Sequence, residues 1–146
     1  MKFLSKNIEE TNKIAKDFLD KIAQEKEKDT ATVVGFFGDL GSGKTTFIQA
    51  LGKYLNIAEV MTSPTFVIEK IYPLNSRGKF NKLIHIDAYR LESGRELLSL
   101  GFEEILKDSK NLIVIEWPEQ VVDILPPDLV KINLKFISEF EREIIF

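Results

Sequence analysis

The sequence predicts an α/β fold of three layers, with a mixed sheet that is parallel at its core and antiparallel at the side. Three observations predict it. Short apolar runs at residues 31–37, 82–87 and 111–116 are separated by segments with helical periodicity, the pattern of parallel strands joined by helical crossovers. Two of those runs, Val33-Val34-Gly35-Phe36-Phe37 and Leu112-Ile113-Val114-Ile115, are apolar on both faces, as strands covered on both sides must be. Residues 66–72 and 82–87 also read as strands, and the polar connection 73–81 is too short for a helical crossover, so these two should pair antiparallel.

Taken in order, Asn7 with Glu10 three residues later forms a capping box. Ile14, Ala15, Phe18, Leu19, Ile22 and Ala23 then recur at helical spacing to about residue 25. The first buried strand spans 31–37. Residues 46–55 are helical, with Phe47, Ile48, Leu51 and Leu55 on one stripe. Pro64 breaks the segment 61–65. Residues 92–107 read as a helix interrupted at Gly101, and 111–116 as a second fully apolar strand. Val130, Ile132, Leu134 and Phe136 alternate with polar residues as a half-buried strand. Residues 140–146 return as its hairpin partner across Ser138-Glu139. Neither a repeat nor a linker divides the chain, so residues 1–146 form one domain, long enough to bury roughly two-thirds of its unfolded surface.

Between the first strand and the second helix lies Gly38-Asp39-Leu40-Gly41-Ser42-Gly43-Lys44-Thr45, which matches the phosphate-loop pattern G-x-x-x-x-G-K-[ST] at every defined position. The pattern works because glycine opens backbone conformations in which successive N–H groups turn inward around a phosphate chain. The helix that follows presents its free N–H groups and the positive end of its dipole to the same anion. Asp39, Leu40, Gly41, Ser42, Gly43, Lys44, Thr45 and Thr46 are therefore the candidate nucleotide-binding residues. Lys44 reaches for the β- and γ-phosphates, and the Thr45 hydroxyl is the first ligand of a Mg²⁺ ion.

Composition excludes several function classes. The 20 basic residues are balanced by 23 acidic ones and the four arginines are scattered, so electrostatic gripping of nucleic acid is not expected. No run approaches the roughly twenty apolar residues of a membrane span. There is no cysteine for a disulfide or a thiolate site. Lack of a secretory signal, with a site built for ATP or GTP, points to the cytoplasm.

Two strands end in an acid, Asp87 and Glu116. In sheets of this kind ligands gather at the carboxyl ends of the strands. Phosphoryl transfer needs Mg²⁺ to neutralise developing charge and a water held in line with the bond that breaks. Glu116 is favoured for the metal and Asp87 for the water, the reverse remaining open; the plain alternative is that either acid caps a turn. Ser63-Pro64-Thr65 lies where a loop would fold over the γ-phosphate, so that a hydroxyl there orders the loop only while ATP is intact. His85, alternating with apolar neighbours, reads as a hydrogen-bonded interior residue. Trp117 reads as packing at the ligand edge or as a contact for a partner protein.

Four segments in order narrow the field further: Gly38 to Thr46, Ser63-Pro64-Thr65-Phe66, His85-Ile86-Asp87-Ala88-Tyr89-Arg90 and Glu116-Trp117-Pro118-Glu119. Together they closely resemble the TsaE (YjeE) family of small bacterial ATPases in tRNA threonylcarbamoyladenosine formation, over residues 31 to about 126. The resemblance implies a P-loop NTPase-like fold, ATP and Mg²⁺ as cofactors, and slow hydrolysis by the protein alone. It implies the TsaD–TsaB pair as partner, with tRNA met only through that partner, and hydrolysis that permits repeated rounds of modification. It further implies that Lys44 and Thr45 bind phosphate and Mg²⁺, Glu116 completes the metal site and Asp87 supports hydrolysis. Thr65 then belongs to a switch-like loop, Trp117 lies near the nucleotide and Thr11 approaches the base. Two other readings stand beside it: a small-molecule kinase, which would need several arginines and a lid, and a binding module that uses nucleotide only as an ordering ligand.

Overall fold

In the computed structural model, which describes residues 1–62, 64, 67–75 and 78–146, the chain builds one seven-stranded sheet with helices on its two faces. The strands are β1 (Lys2–Ser5), β2 (Thr32–Phe37), β3 (Glu69–Pro73), β4 (Lys82–Asp87), β5 (Asn111–Glu116), β6 (Val130–Phe136) and β7 (Arg142–Ile145). The helices are α1 (Ile8–Gln24), α2 (Lys44–Tyr54), α3 (Arg95–Ser99) and α4 (Phe102–Leu106), and a 3-10 segment spans Pro118–Ile124. Strand order across the sheet is β1-β7-β6-β2-β5-β4-β3.

β6, β2, β5 and β4 run parallel, as the doubly apolar runs require. Antiparallel pairing closes both edges rather than one: β3 on β4 at one side, β6–β7 and then β7–β1 at the other. The consequence for the site is direct. β2, β4 and β5 end on the same edge of the sheet, at Phe37, Asp87 and Glu116, with Asp87 and Glu116 opposite each other in register.

Alternate residues of the central strands feed two cores. Val34, Phe36, Leu112 and Val114 pack beneath α1 and α2, whereas Val33, Ile84, Ile86, Ile113 and Ile115 pack against Leu97, Phe102 and Val121. α1 is capped as its sequence predicts, the Asn7 side chain accepting from Glu10 N at 2.8 Å while Glu10 returns a carboxylate to Lys6 N. Aromatic rings join the first core to the strands: Phe18 meets Phe47 and Phe146 at 6.2 and 5.0 Å between centroids, and Phe47 meets Phe36 at 5.7 Å. Phe136 and Phe140 stay out of both cores and lie exposed at the β6–β7 turn.

Several boundaries differ from expectation for identifiable reasons. The strand expected from residue 66 begins at Glu69, because the carbonyl of Pro64 takes hydrogen bonds from both Val67 and Ile68 and holds a turn there. The helix expected over 92–107 is two short helices, divided where Gly101 takes φ 85°. β1 was not foreseen at all; four residues at the chain start become a strand only because β7 offers an edge.

Phe47 is fully buried at the first turn of α2 and touches both flanking rings. Phe47→Ala is expected to lower the free energy of unfolding by about 3–5 kcal/mol in a urea titration, since the enclosed core cannot collapse around the void. A loss below about 1 kcal/mol would show that this ring cluster does not hold α2 on the sheet.

Candidate nucleotide site

Two glycines allow the chain to leave β2 and enter α2 in only six residues. Gly38 has φ 149°, and a Cβ there would strike the carbonyl oxygen of Leu134 and the Ser42 hydroxyl. Gly43 has φ 101°, and a Cβ there would strike the guanidinium of Arg142. Any other residue would be strained in conformation at both positions, and at Gly38 it would also be blocked by backbone. The loop so formed wraps the N-terminus of α2 and faces a cavity of about 380 Å³, within the usual size of small-ligand sites.

Residues 40–46 make one wall of this cavity and the strand ends Asp87 and Glu116 another; Tyr89, Trp117 and Arg142 complete it. Of the predicted set, Leu40, Gly41, Ser42, Gly43, Lys44, Thr45, Thr46, Asp87 and Glu116 thus meet around one space. Asp39 acts through its backbone, its carbonyl accepting from Ser42 N and, at 3.0 Å, from the Lys44 amine. Thr65 lies outside the described residues.

The Lys44 amine also donates to the carbonyl of Gly38, and it sits 4.0 Å from the centre of the Trp117 ring. Burial pushes its pKa below the ordinary lysine value, against the opposing pull of Glu116, Glu119, Asp87 and Asp39. An anionic ligand here would favour the charged amine and replace the loop's own carbonyls as its partner.

Thr45 and Glu116 come from different elements, α2 and β5, yet the Thr45 hydroxyl donates to Glu116 Oε1 at 2.7 Å. Glu116 Oε2 lies 2.7 Å from His85 Nε2. Asp87, nearly buried, accepts from Tyr89 N at 2.9 Å, so it shapes the turn after β4 while lining the cavity. A hydroxyl and a carboxylate on one wall suit Mg²⁺, which takes one or two protein oxygens and fills its remaining positions with water and phosphate. Among the described residues no group of three or more acidic or histidine side chains competes as a metal site.

Trp117 adopts a left-handed backbone, φ 59° and ψ 49°, uncommon for a bulky residue. That bend takes the chain sharply out of β5 and lays the indole between Lys44 and the ring of Tyr89, 5.1 Å away. Thr11 is placed elsewhere. It is buried in α1 with its hydroxyl 2.7 Å from that of Ser5, and it lines a second cavity of about 320 Å³ with Asn7, Glu9 and Phe140. Arg142 lines both cavities and joins them. Sequence reasoning passed over this arginine. The signal was the 130–146 hairpin, but its meaning required knowing that β6 lies beside β2, which carries the start of β7 to the phosphate loop.

Comparison with known proteins agrees with the motifs. Residues 5–144 match the family model described as threonylcarbamoyl adenosine biosynthesis protein TsaE. The tRNA threonylcarbamoyladenosine biosynthesis protein TsaE of Rickettsia prowazekii is 38% identical over 137 residues, covering 90% of this chain and 87% of that protein. The protein of the same name from Streptomyces coelicolor is 42% identical over 98 residues, 66% of this chain and 64% of its own length. The crystal structure of Bacillus YdiB superposes with a TM-score of 0.72 at 31% identity, covering 99% of this chain and 82% of that one. With likeness running from β1 through β7, the chain belongs to the TsaE family of tRNA threonylcarbamoyladenosine biosynthesis.

Proposed function

We propose that the chain binds ATP with Mg²⁺ in the loop cavity, hydrolyses it slowly, and thereby supports repeated rounds of tRNA modification by a TsaD–TsaB complex in the cytoplasm. One observation carries the reading: an amine, a hydroxyl and a carboxylate, from Lys44, Thr45 and Glu116, converge at the N-terminus of α2 around a ligand-sized space. Backbone N–H groups of 41–46 receive the phosphates, and Lys44 exchanges the carbonyls of Gly38 and Asp39 for phosphate oxygens. Thr45 and Glu116 would hold the Mg²⁺ ion, which would supply positive charge against that developing on the phosphates. Asp87 holds the attacking water and accepts its proton. Thr65 is assigned to hydrolysis by the family resemblance alone. Arg142 stands between the phosphates and the cavity beside Thr11, where the base would lie.

The same arrangement bears on nucleotide affinity. Lys44 is satisfied without nucleotide, by two carbonyls and an indole face, so binding replaces existing contacts rather than filling vacant ones. A kinase surrounds the transferred group with several arginines; among the described residues only Arg142 lines this cavity, which favours water as acceptor. No described helix is long and apolar enough to cross a membrane.

Lys44→Ala is expected to weaken Mg-ATP binding about 10- to 100-fold, the loss of a charge-assisted hydrogen bond, in calorimetric titration with a non-hydrolysable analogue. Asp87→Asn should bind the analogue within about threefold of wild type yet lose about 10²- to 10⁴-fold in single-turnover hydrolysis. In a reconstituted reaction with TsaD–TsaB and tRNA, the wild-type chain should sustain many modifications per complex. Lys44→Ala should leave about one. Multiple turnover with Lys44→Ala would overturn the assignment.

A further inference from the structure

His85 is almost wholly buried in β4, and the only hydrogen bond of its ring among the described residues joins Nε2 to Glu116 Oε2. Nδ1 is buried with no partner among them. That asymmetry fixes the tautomer: the proton belongs on Nε2, donated to the carboxylate, and Nδ1 keeps its lone pair. His85 is in register with Val114, so it shares a sheet face with Glu116 two residues further along β5, within diagonal reach. β4 and β5 are already joined along six residues by backbone pairing, and the neighbours Leu83, Ile84 and Ile86 are fully buried aliphatics. An aliphatic side chain at 85 would serve packing without leaving a buried nitrogen unpaired.

We propose that His85 is a positioning residue for the cation side of the site. A glutamate at a strand end can rotate about its last bond, and the Thr45 hydrogen bond restrains only Oε1. The bond from His85 fixes Oε2 and so sets the plane of the carboxylate, keeping Oε1 beside Thr45 where a divalent cation would be held. Asp87 follows His85 by two residues on the same strand, so one segment of β4 supplies both a cavity acid and the clamp on the other acid. The inference rests on the reading that Glu116 faces the cation.

The test measures cation binding without turnover. Mn²⁺ affinity is read by electron paramagnetic resonance at saturating AMPPNP, and AMPPNP affinity is measured separately in EDTA. His85→Leu should lose about 10- to 100-fold in Mn²⁺ affinity while metal-free AMPPNP affinity stays within about twofold. His85→Gln, whose amide N–H can take the place of Nε2–H, should recover Mn²⁺ affinity to within about threefold. If His85→Leu does not fold, His85→Asn replaces it, because the shorter amide cannot span to Oε2 and should show the same loss. Wild-type Mn²⁺ affinity in the folded donor-less variant overturns the proposal, as does equal loss of metal-free nucleotide binding. Glu116→Gln is measured alongside. Wild-type Mn²⁺ affinity there overturns the assignment of Glu116 to the cation, a failure separable from that of His85.

Discussion

The turn from β2 into α2 is the constraint on which the cavity depends, because two backbone positions that favour glycine set the path of the wall formed by residues 40–46. Gly38 passes under the Leu134 carbonyl of β6, and Gly43 lies against the guanidinium carried by β7. The turn is therefore packed against the antiparallel half of the sheet as well as feeding the parallel half. Its exit aims α2 across the ends of β5 and β4, which brings Thr45 to Glu116. The bond between them joins the start of a helix to the end of a strand 71 residues away. Phe47, in the same first turn, secures the helix to the core from beneath.

Charge and burial act against each other here in a way that suits a ligand. The cavity gathers Asp87 and Glu116 and partly desolvates the amine that faces them. The protein meets this with internal partners: Lys44 on carbonyls and an indole, Glu116 on a hydroxyl and an imidazole, Asp87 on a backbone N–H. On the proposed reading, a magnesium–polyphosphate ligand would offer each of these groups a better-matched partner, with positive charge for the acids and negative charge for the amine.

What the sequence makes legible follows from the range of the interactions involved. The phosphate loop is written in eight consecutive residues because its geometry is local, and the strand-end acids are legible because apolar runs mark where strands stop. The order of β6 and β2 is a long-range packing outcome, so the hairpin that carries Arg142 is legible but its place beside the glycine loop is not, and no pattern marks the edge strand β1. Gly101 marked the break between α3 and α4, whereas the turn that delays β3 comes from a carbonyl pairing at Pro64 that no pattern announces. His85 was read correctly as an interior hydrogen-bonded residue. Its partner depended on strand register, a property of the folded sheet.

The pairing of β1 with β7 reaches further than its four residues suggest. Ser5 stands opposite Arg142 in that ladder, and the backbone of Met1 exchanges hydrogen bonds with that of Phe146. The two ends of the chain thus zip together beside the arginine that fences the loop and the neighbouring hollow. A substitution that weakens the β1–β7 ladder therefore acts on the strand that carries this arginine, although no residue of β1 lines either cavity.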